Sequence, residues 1–249
     1  MKKRYLIGVL ICIVLAAILL WRFLRPSVQT SQPLVPPEVR SSASESESGS
    51  SSEPELPFTP VDFEEQQKIN DDIYAWITIP GTVVDYPVLQ HKSDDTYYLD
   101  HNIYGKKTTG GALFTERVYN GKDFNDPVTI IYGHKLKSGA MFGSLQALYS
   151  DPSGFAANRA VYVQTPDGCL EYEIFATLPY DNRHILYNYD FTNARVFRSF
   201  FKNVTSVRTL GANSDPEYVP DAGDRVLILS TCLRGDNTKR YLVMARQVS

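Results

Sequence analysis

The fold of this 249-residue chain is indicated most clearly by the run Val226-Leu227-Ile228-Leu229-Ser230-Thr231-Cys232. Four aliphatic residues in a row predict a buried β-strand, and the strand leads directly to a thiol. A second strand is predicted over Tyr241–Ala245, and Arg240 opens it after a seven-residue loop, Leu233–Lys239. If the two strands pair antiparallel, the thiol and the guanidinium start as near neighbours across that loop.

Short strand signals recur through the rest of the chain. Turn residues separate them, and Pro166-Asp167-Gly168 is typical of the turn in a β-hairpin. Eight or so short strands at short spacing predict a mainly β fold, a closed or nearly closed barrel with helices packed around it. The strands before the Cys232 stretch are predicted over Trp76–Ile79, Val83–Val88, Gly110–Phe114, Val128–Tyr132, Ala160–Val163 and Leu170–Phe175.

Two helices are predicted in addition. The first opens the folded region, because Thr59 or Asp62 can cap it and Pro60 suits a first helical turn. The second, near residues 193 to 204, is expected to pack on the sheet through an apolar stripe. The apolar residues at roughly helical spacing are Phe63, Ile69, Ile73 and Trp76 in the first helix and Val196, Phe197, Phe200, Phe201 and Val204 in the second.

Residues 1–25 are interpreted as a cytoplasmic start followed by a single transmembrane signal anchor. The run from Tyr5 to Leu24 carries one charge, Arg22, and is long enough to span about 30 Å of hydrocarbon at 1.5 Å per residue. Basic residues at positions 2–4 favour a cytoplasmic N-terminus. We therefore expect a single-pass protein of the cell membrane whose remaining residues lie outside the cell.

The rest of the chain divides into a tether and one folded domain. Residues 26–57 are rich in Ser, Pro and Glu and contain too little apolar surface to fold, so a disordered spacer is expected. Residues 58–249 contain the predicted strands and helices and form the extracellular domain. The tether would hold this domain within reach of polymers at the cell surface.

Composition excludes several classes of protein. The formal net charge of −3 argues against a nucleic-acid partner, which usually requires a strong basic excess. Three cysteines without a CxxC pair argue against a disulfide framework and against a structural zinc site.

Three side chains at predicted strand ends can form a catalytic group. Cys232 and Arg240 flank one loop, and His134 follows the strand Val128–Tyr132. A thiol attacks a carbonyl as the thiolate, which a nearby imidazolium or guanidinium favours. An Arg never gives up its proton at working pH, so its role is to donate hydrogen bonds to a substrate carbonyl and to the developing oxyanion.

Other interpretations of these residues stay open. A single cysteine at a strand end is commonly inert, and Cys169 is interpreted in that way. Arg234 is a rival to Arg240 because it follows Cys232 by two residues, but it would lie inside the loop. The remaining histidines lie in polar or aromatic loops and are interpreted as surface or hydrogen-bonded residues: His91, His101 and His184.

The sequence also resembles a known family. Leu229-Ser230-Thr231-Cys232, with Arg240 eight residues later, resembles the TLxTC…R signature of sortases, with Ile228 in place of the first Thr. Ile130–His134, followed by Ser138–Phe142, is similar to the catalytic-His region of class B sortases. Further similarity to class B lies in Trp76–Thr82, in Asp85–Val88 and in Tyr97-Tyr98-Leu99.

This resemblance implies an eight-stranded sortase-type β-barrel with an N-terminal helix and a further helix before the Cys strand. It implies that Cys232 is the nucleophile and that His134 is first the general acid and then the base. Arg240 would stabilise the oxyanion and orient the substrate. Class B members lack the acidic calcium-binding loop of class A, so the resemblance implies no metal and no other cofactor. The substrate groove would be lined by Ser230 and Thr231 and, more weakly, by Leu99 and Tyr187.

The resemblance further implies a transpeptidase. Such an enzyme cleaves a C-terminal sorting motif of secreted proteins through a Cys thioester and transfers the acyl group to an amine of the peptidoglycan cross-bridge or of lipid II. Two alternatives remain. One is a pilin-polymerising sortase that uses a lysine of another subunit as acceptor, and the other, from a different class, is a non-catalytic surface binding module.

Overall fold

The computed structural model describes residues 57–249, so the predicted anchor and nearly all of the predicted tether lie outside the described residues. Within 57–249, every helix is too short or too polar to cross a membrane. The strands are β1 (Ile73–Thr78), β2 (Asp85–Leu89), β3 (Leu113–Phe114), β4 (Val128–Tyr132), β5 (Ala160–Thr165), β6 (Gly168–Tyr180), β7 (Asn213–Ser214), β8 (Val226–Leu233) and β9 (Asp236–Gln247).

The helices are short, with one exception. A 3₁₀ turn over Tyr97–Leu99 lies between β2 and β3, and the α-helices are α1 (Phe63–Ile69), α2 (Leu145–Tyr149), α3 (Pro152–Ala157), α4 (Ile185–Asn188) and α5 (Ala194–Thr205). The side chain of Asp62 caps α1, and that of Asn193 caps α5 by accepting from two backbone N–H groups. The helix predicted near 193–204 is thus observed as α5.

Eight strands close into a barrel. Their order around it is β5-β1-β2-β3-β4-β8-β9-β6, and β6 pairs with β5 to complete the ring. The two-residue strand β7 is not one of the eight and pairs only with β6. The pairs β2–β3 and β4–β8 are parallel and the remaining neighbours are antiparallel. Closure removes the free sheet edges and gives a rigid frame with loops at its rims. The predicted mainly β fold, an eight-stranded barrel with added helices, is confirmed.

The barrel is buried on both of its faces near the Cys232 stretch. Leu227 and Leu229 belong to the core inside the barrel, whereas Ile228 belongs to a second core between the barrel and α5. Phe197 and Phe201 of α5 fill that second core and are almost fully buried. Because successive strand residues point to opposite faces, burial on both faces explains the uninterrupted apolar run in the sequence.

Two local predictions were wrong. The first helix ends at Ile69, and Ile73 and Trp76 belong to β1, where pairing with both β2 and β5 outweighs the helical spacing of their side chains. The predicted loop Leu233–Lys239 is instead a tight turn, because β8 runs to Leu233 and β9 begins at Asp236. The turn contains Gly235 at a φ of +88°, a conformation that glycine adopts readily.

Candidate active site

Cys232 and Arg240 lie directly opposite each other on neighbouring strands. They are partners in the antiparallel register of β8 and β9, and Arg240 Nη1 is 3.9 Å from Cys232 Sγ. The same Nη1 donates to the backbone carbonyls of Asn237 and Lys239, both at 3.3 Å. These two carbonyls orient the guanidinium toward a thiol that is itself partly exposed to solvent.

His134 reaches the same rim through a parallel strand pair. Tyr132 of β4 is opposite Ser230 of β8, and the backbone N–H of Gly133 donates to the carbonyl of Ser230 at 3.1 Å. His134 and Cys232 each follow that register by two residues, so both emerge at the same end of the barrel. His134 Nε2 is 2.7 Å from the carbonyl oxygen of Leu99. Since a carbonyl only accepts, Nε2 carries the proton and Nδ1 is left for chemistry.

The turn that carries Leu99 is tied down by its own side chains. Asp94 accepts from the backbone N–H and the hydroxyl of Thr96, and the Thr96 hydroxyl is the main cause of a pKa below the usual range at Asp94. The ring of Tyr97 is stacked between those of His91 and His101, at centroid distances of 4.4 and 4.0 Å. Such packing holds the Leu99 carbonyl in place beside His134.

A cavity of about 300 Å³ joins these groups. Cys232, His134 and Arg240 all line it, as do Leu99, Ser230 and Thr231. The structure thus brings together six of the seven predicted site residues in one groove. The catalytic and substrate-binding roles of these residues stay predictions.

Tyr187 is the predicted site residue that the groove does not include. Its side chain is 76% exposed, and it lines a neighbouring depression together with Pro127 and Phe191. Tyr187 belongs to α4, next to the groove wall. Its proposed contact with substrate is therefore possible only at the outer margin of the groove.

Tyr132, which is partly buried, also lines the groove. Burial, and next the charge of Glu116, raise the pKa of Tyr132 well above its ordinary value, while Arg240 acts in the opposite direction. Tyr132 therefore stays protonated at any physiological pH and can serve only as a neutral hydrogen-bonding group. Within residues 57–249, no cluster of three or more His, Cys, Asp or Glu side chains is arranged to hold a metal ion.

Two groove residues had no functional role predicted from the sequence. Glu116 and His184 line the cavity with the three candidate catalytic residues, and they are paired with each other. Glu116 follows the short strand β3 and His184 follows β6, so nothing in the spacing of the sequence links them. Their proximity is a product of the barrel topology.

A closed barrel with a thiol, a guanidinium and an imidazole at one rim defines a class of cysteine enzyme. The model of the sortase domain family matches residues 77–248 of this chain, which therefore belongs to the sortase family. Sortase B of Listeria monocytogenes is 34% identical over 176 residues, covering 70% of this chain and 67% of that protein. The chain is accordingly a class B sortase, and its sortase B homologues are cysteine transpeptidases.

Solved structures agree with this assignment. A Staphylococcus aureus sortase B–substrate complex matches with a TM-score of 0.64 at 28% identity, covering 75% of this chain and 84% of that one. A sortase B complexed with triglycine matches with a TM-score of 0.64 at 28% identity, covering 75% of this chain and 85% of that one.

Proposed function

We propose that the chain is a membrane-anchored transpeptidase that cleaves a C-terminal sorting motif of secreted proteins through a thioester on Cys232. The acyl group then passes to an amine of the peptidoglycan cross-bridge or of lipid II. One observation carries the proposal: the Cys232 thiol lies 3.9 Å from the Arg240 guanidinium in a groove that also contains His134. A substrate complex of a sortase B relative supports peptide binding in this fold.

The first half-reaction forms the thioester. The Cys232 thiol first gives its proton to His134, and the resulting thiolate attacks the carbonyl carbon of the motif's Thr, so that the carbonyl electrons move onto oxygen. Arg240 donates hydrogen bonds to that oxyanion, which is stronger as an acceptor than the ground-state carbonyl. His134 gives a proton to the leaving amine as the C–N bond breaks, so the departing fragment leaves as a neutral amine.

The second half-reaction reverses these roles. The acceptor amine attacks the thioester carbonyl, and His134, now lacking its proton, takes one from the attacking nitrogen. Collapse of the second oxyanion breaks the C–S bond and returns the thiolate. Water can replace the amine slowly, which gives hydrolysis instead of transfer.

The residues before the domain support the proposed location, and a relative supports the proposed acceptor. The apolar run 5–24 and the Ser- and Pro-rich tether support anchoring in the cell membrane with the catalytic domain outside. The predicted tether would raise the effective concentration of enzyme toward cargo and acceptor at that surface. The relative complexed with triglycine supports a small peptide amine as acceptor.

Mass spectrometry of the full-length chain with a library of sorting peptides tests the thioester. We expect an acyl adduct on Cys232 that is absent from Cys232→Ala and retained in Cys169→Ala, the matched control for the other described free cysteine. Cys232→Ala, which cannot form the adduct, should also lose turnover. If Cys232→Ala cleaved the peptides as fast as the wild type, the thiol mechanism would be wrong and the non-catalytic alternative would gain support.

A competition between acceptors tests the second half-reaction. The best library peptide is incubated with enzyme, triglycine and a lysine-containing pilin peptide, the two acceptors being at equal concentrations. We expect products joined to the triglycine amine. Exclusive isopeptide products on the lysine would instead identify the pilin-polymerising alternative.

A further inference from the structure

His184 makes two hydrogen bonds that fix its orientation in the groove wall. Its Nδ1 accepts from the backbone N–H of Tyr187 at 3.1 Å, which caps the short helix α4. Because Nδ1 accepts, the proton lies on Nε2, which is 2.9 Å from Glu116 Oε1 and 2.8 Å from Glu116 Oε2. His184 therefore links a loop segment to Glu116 through opposite edges of one ring.

Glu116 is held rigidly by the barrel. Its backbone carbonyl accepts from the N–H groups of Tyr119 and Asn120, at 3.1 and 2.9 Å. Asn120 is buried and is bound in turn to β4, since its side chain donates to the carbonyl of Val128 and accepts from the N–H of Ile130. The backbone of Glu116 is thus fixed to the barrel, and its carboxylate extends from a rigid support.

The pair is largely removed from solvent. The Glu116 side chain is 13% exposed and the His184 side chain 35%. The imidazole also packs beside Tyr119, with ring centroids 5.0 Å apart, and lies 6.3 Å from the ring of Tyr132. A charge-assisted hydrogen bond in such surroundings is stronger than an exposed one.

The segment that His184 holds begins beside the candidate oxyanion donor. Tyr180, the last residue of β6, is opposite Arg240 in the register of β6 and β9. A small cavity of about 90 Å³ is lined by His184 and Arg240 together with Tyr180 and Arg183. The chain from Tyr180 to Ile185 consequently forms a wall of this small cavity beside Arg240, and His184 of that wall also lines the groove.

We propose that Glu116 and His184 are a positioning pair that fixes this wall and so sets the affinity of the enzyme for the sorting peptide. The proposal rests on the proposed function, since it presumes that the peptide occupies the Cys232 groove. Neither residue takes part in bond making. Loss of the hydrogen bond between His184 and Glu116, here called the tie, lets the wall and α4 move away from Arg240. Peptide binding then weakens, while the candidate catalytic residues that carry out the chemical steps stay in place.

Two isosteric replacements of His184 separate the tie from the helix cap. His184→Gln places an amide N–H near the position of Nε2 and keeps the donor to Glu116 but loses the cap. His184→Asn places an amide oxygen near the position of Nδ1 and keeps the cap but loses the tie. We expect His184→Asn to raise the peptide KM about tenfold, the value of one charge-assisted hydrogen bond, with kcat changed less than about twofold. His184→Gln should restore most of the affinity.

The kinetics are measured on the full-length chain with the best library peptide, and each variant is checked by thermal melting. Glu116→Ala is expected to match His184→Asn, and it serves as the second variant if His184→Asn does not fold. Glu173→Gln is the matched control, because Glu173 ties Arg159 and Arg246 at a part of β6 away from the groove. It should leave the peptide KM unchanged.

Equal peptide KM values for wild type, His184→Asn and Glu116→Ala would overturn the positioning pair. A wild-type KM in His184→Asn together with a raised KM in His184→Gln would overturn it as well. Either result, obtained while Cys232→Ala abolishes turnover, contradicts this inference alone. Turnover that does not depend on Cys232 contradicts the proposed function and this inference with it.

Discussion

The guanidinium of Arg240 is close to the thiol and free to act on a substrate. Within residues 57–249 it forms no ion pair with a carboxylate, and its recorded partners are two backbone carbonyls and Cys232 Sγ. An unneutralised cation next to a nucleophile can stabilise both the thiolate and an oxyanion that forms on the attacked carbonyl. Arg234, the rival at the sequence level, lies instead in the tight turn and is exposed.

Arg240→Ala is therefore expected to reduce kcat/KM by about 10²–10³, the effect of removing an oxyanion donor. The kcat/KM of Arg240→Lys should lie between those of the wild type and Arg240→Ala, because lysine keeps the charge but loses the planar fork of donors. Steady-state cleavage of the best library peptide measures both. Arg234→Ala is the control and should stay near wild type; a harmless Arg240→Ala with a crippled Arg234→Ala would reverse the assignment.

The three candidate catalytic side chains could be selected from the sequence because their chemistry is specific and each lies near the end of a predicted strand. Glu116 and His184 could not be, because a carboxylate and an imidazole on separate loops give no pattern until the loops meet. The hydrogen bond from His134 to the Leu99 carbonyl was equally hidden, since it depends on a turn and not on side-chain type.

Strands and helices were predictable to different degrees. Val128–Tyr132 and the α5 helix were predicted almost to the residue, because a buried strand and an amphipathic helix each leave a clear apolar pattern. The ends of β8 and β9 were missed, since their polar residues after Thr231 pair across a tight turn. The short helices α2, α3 and α4 were also missed, because helices of four to six residues depend on tertiary contacts more than on their own spacing.

The turn before β3 offers a test of how tightly Leu99 must be held. Gly111 has a φ of +54°, and a Cβ there would lie 2.2 Å from the Tyr98 carbonyl oxygen and 2.8 Å from the Leu99 carbonyl oxygen. Gly111→Ala is expected to cost about 2 kcal/mol of stability and lower Tm by about 4–8 °C. Turnover should also fall at temperatures where the variant is still folded, because the displaced Leu99 carbonyl no longer orients His134.

Gly223→Ala is the matched control for this experiment. Gly223 also has a positive φ, +109°, but nothing lies within 4 Å of the position of its Cβ. This variant should show backbone strain alone, with a smaller loss of Tm and unchanged turnover. Wild-type melting and turnover in Gly111→Ala would show that the Leu99 turn is not a rigid support.

The arrangement of the whole barrel joins residues that are far apart in sequence. The strand count predicted a barrel, but the parallel pairing of β4 with β8 could not be predicted, because pairing of distant strands leaves no local signal. That pairing brings His134 to Cys232, and the β8–β9 pairing adds Arg240. The site is thus a property of the closed ring and should depend on all of it.

The N-terminal boundary of the catalytic domain follows from contacts on β5. Phe58 packs on Tyr162 with ring centroids 5.1 Å apart. Gln164, which is buried, accepts from the backbone N–H of Val61 at 3.0 Å and donates to the carbonyl of Thr59 at 3.1 Å. Residues 58–61 therefore pack against the barrel, and a shortened chain must keep them.

We expect residues 58–249 alone to be soluble and to cleave a free sorting peptide with the kcat/KM of the full-length chain, because the predicted anchor and tether act only on surface-bound partners. A chain of residues 62–249, which keeps the Asp62 cap, should melt several degrees lower, since the buried Gln164 amide loses both partners at a cost of about 1–3 kcal/mol. Thermal melting and peptide cleavage on both fragments check this. Aggregation of the 58–249 fragment without activity would show that the tether contributes to the fold and that the boundary lies further toward the N-terminus.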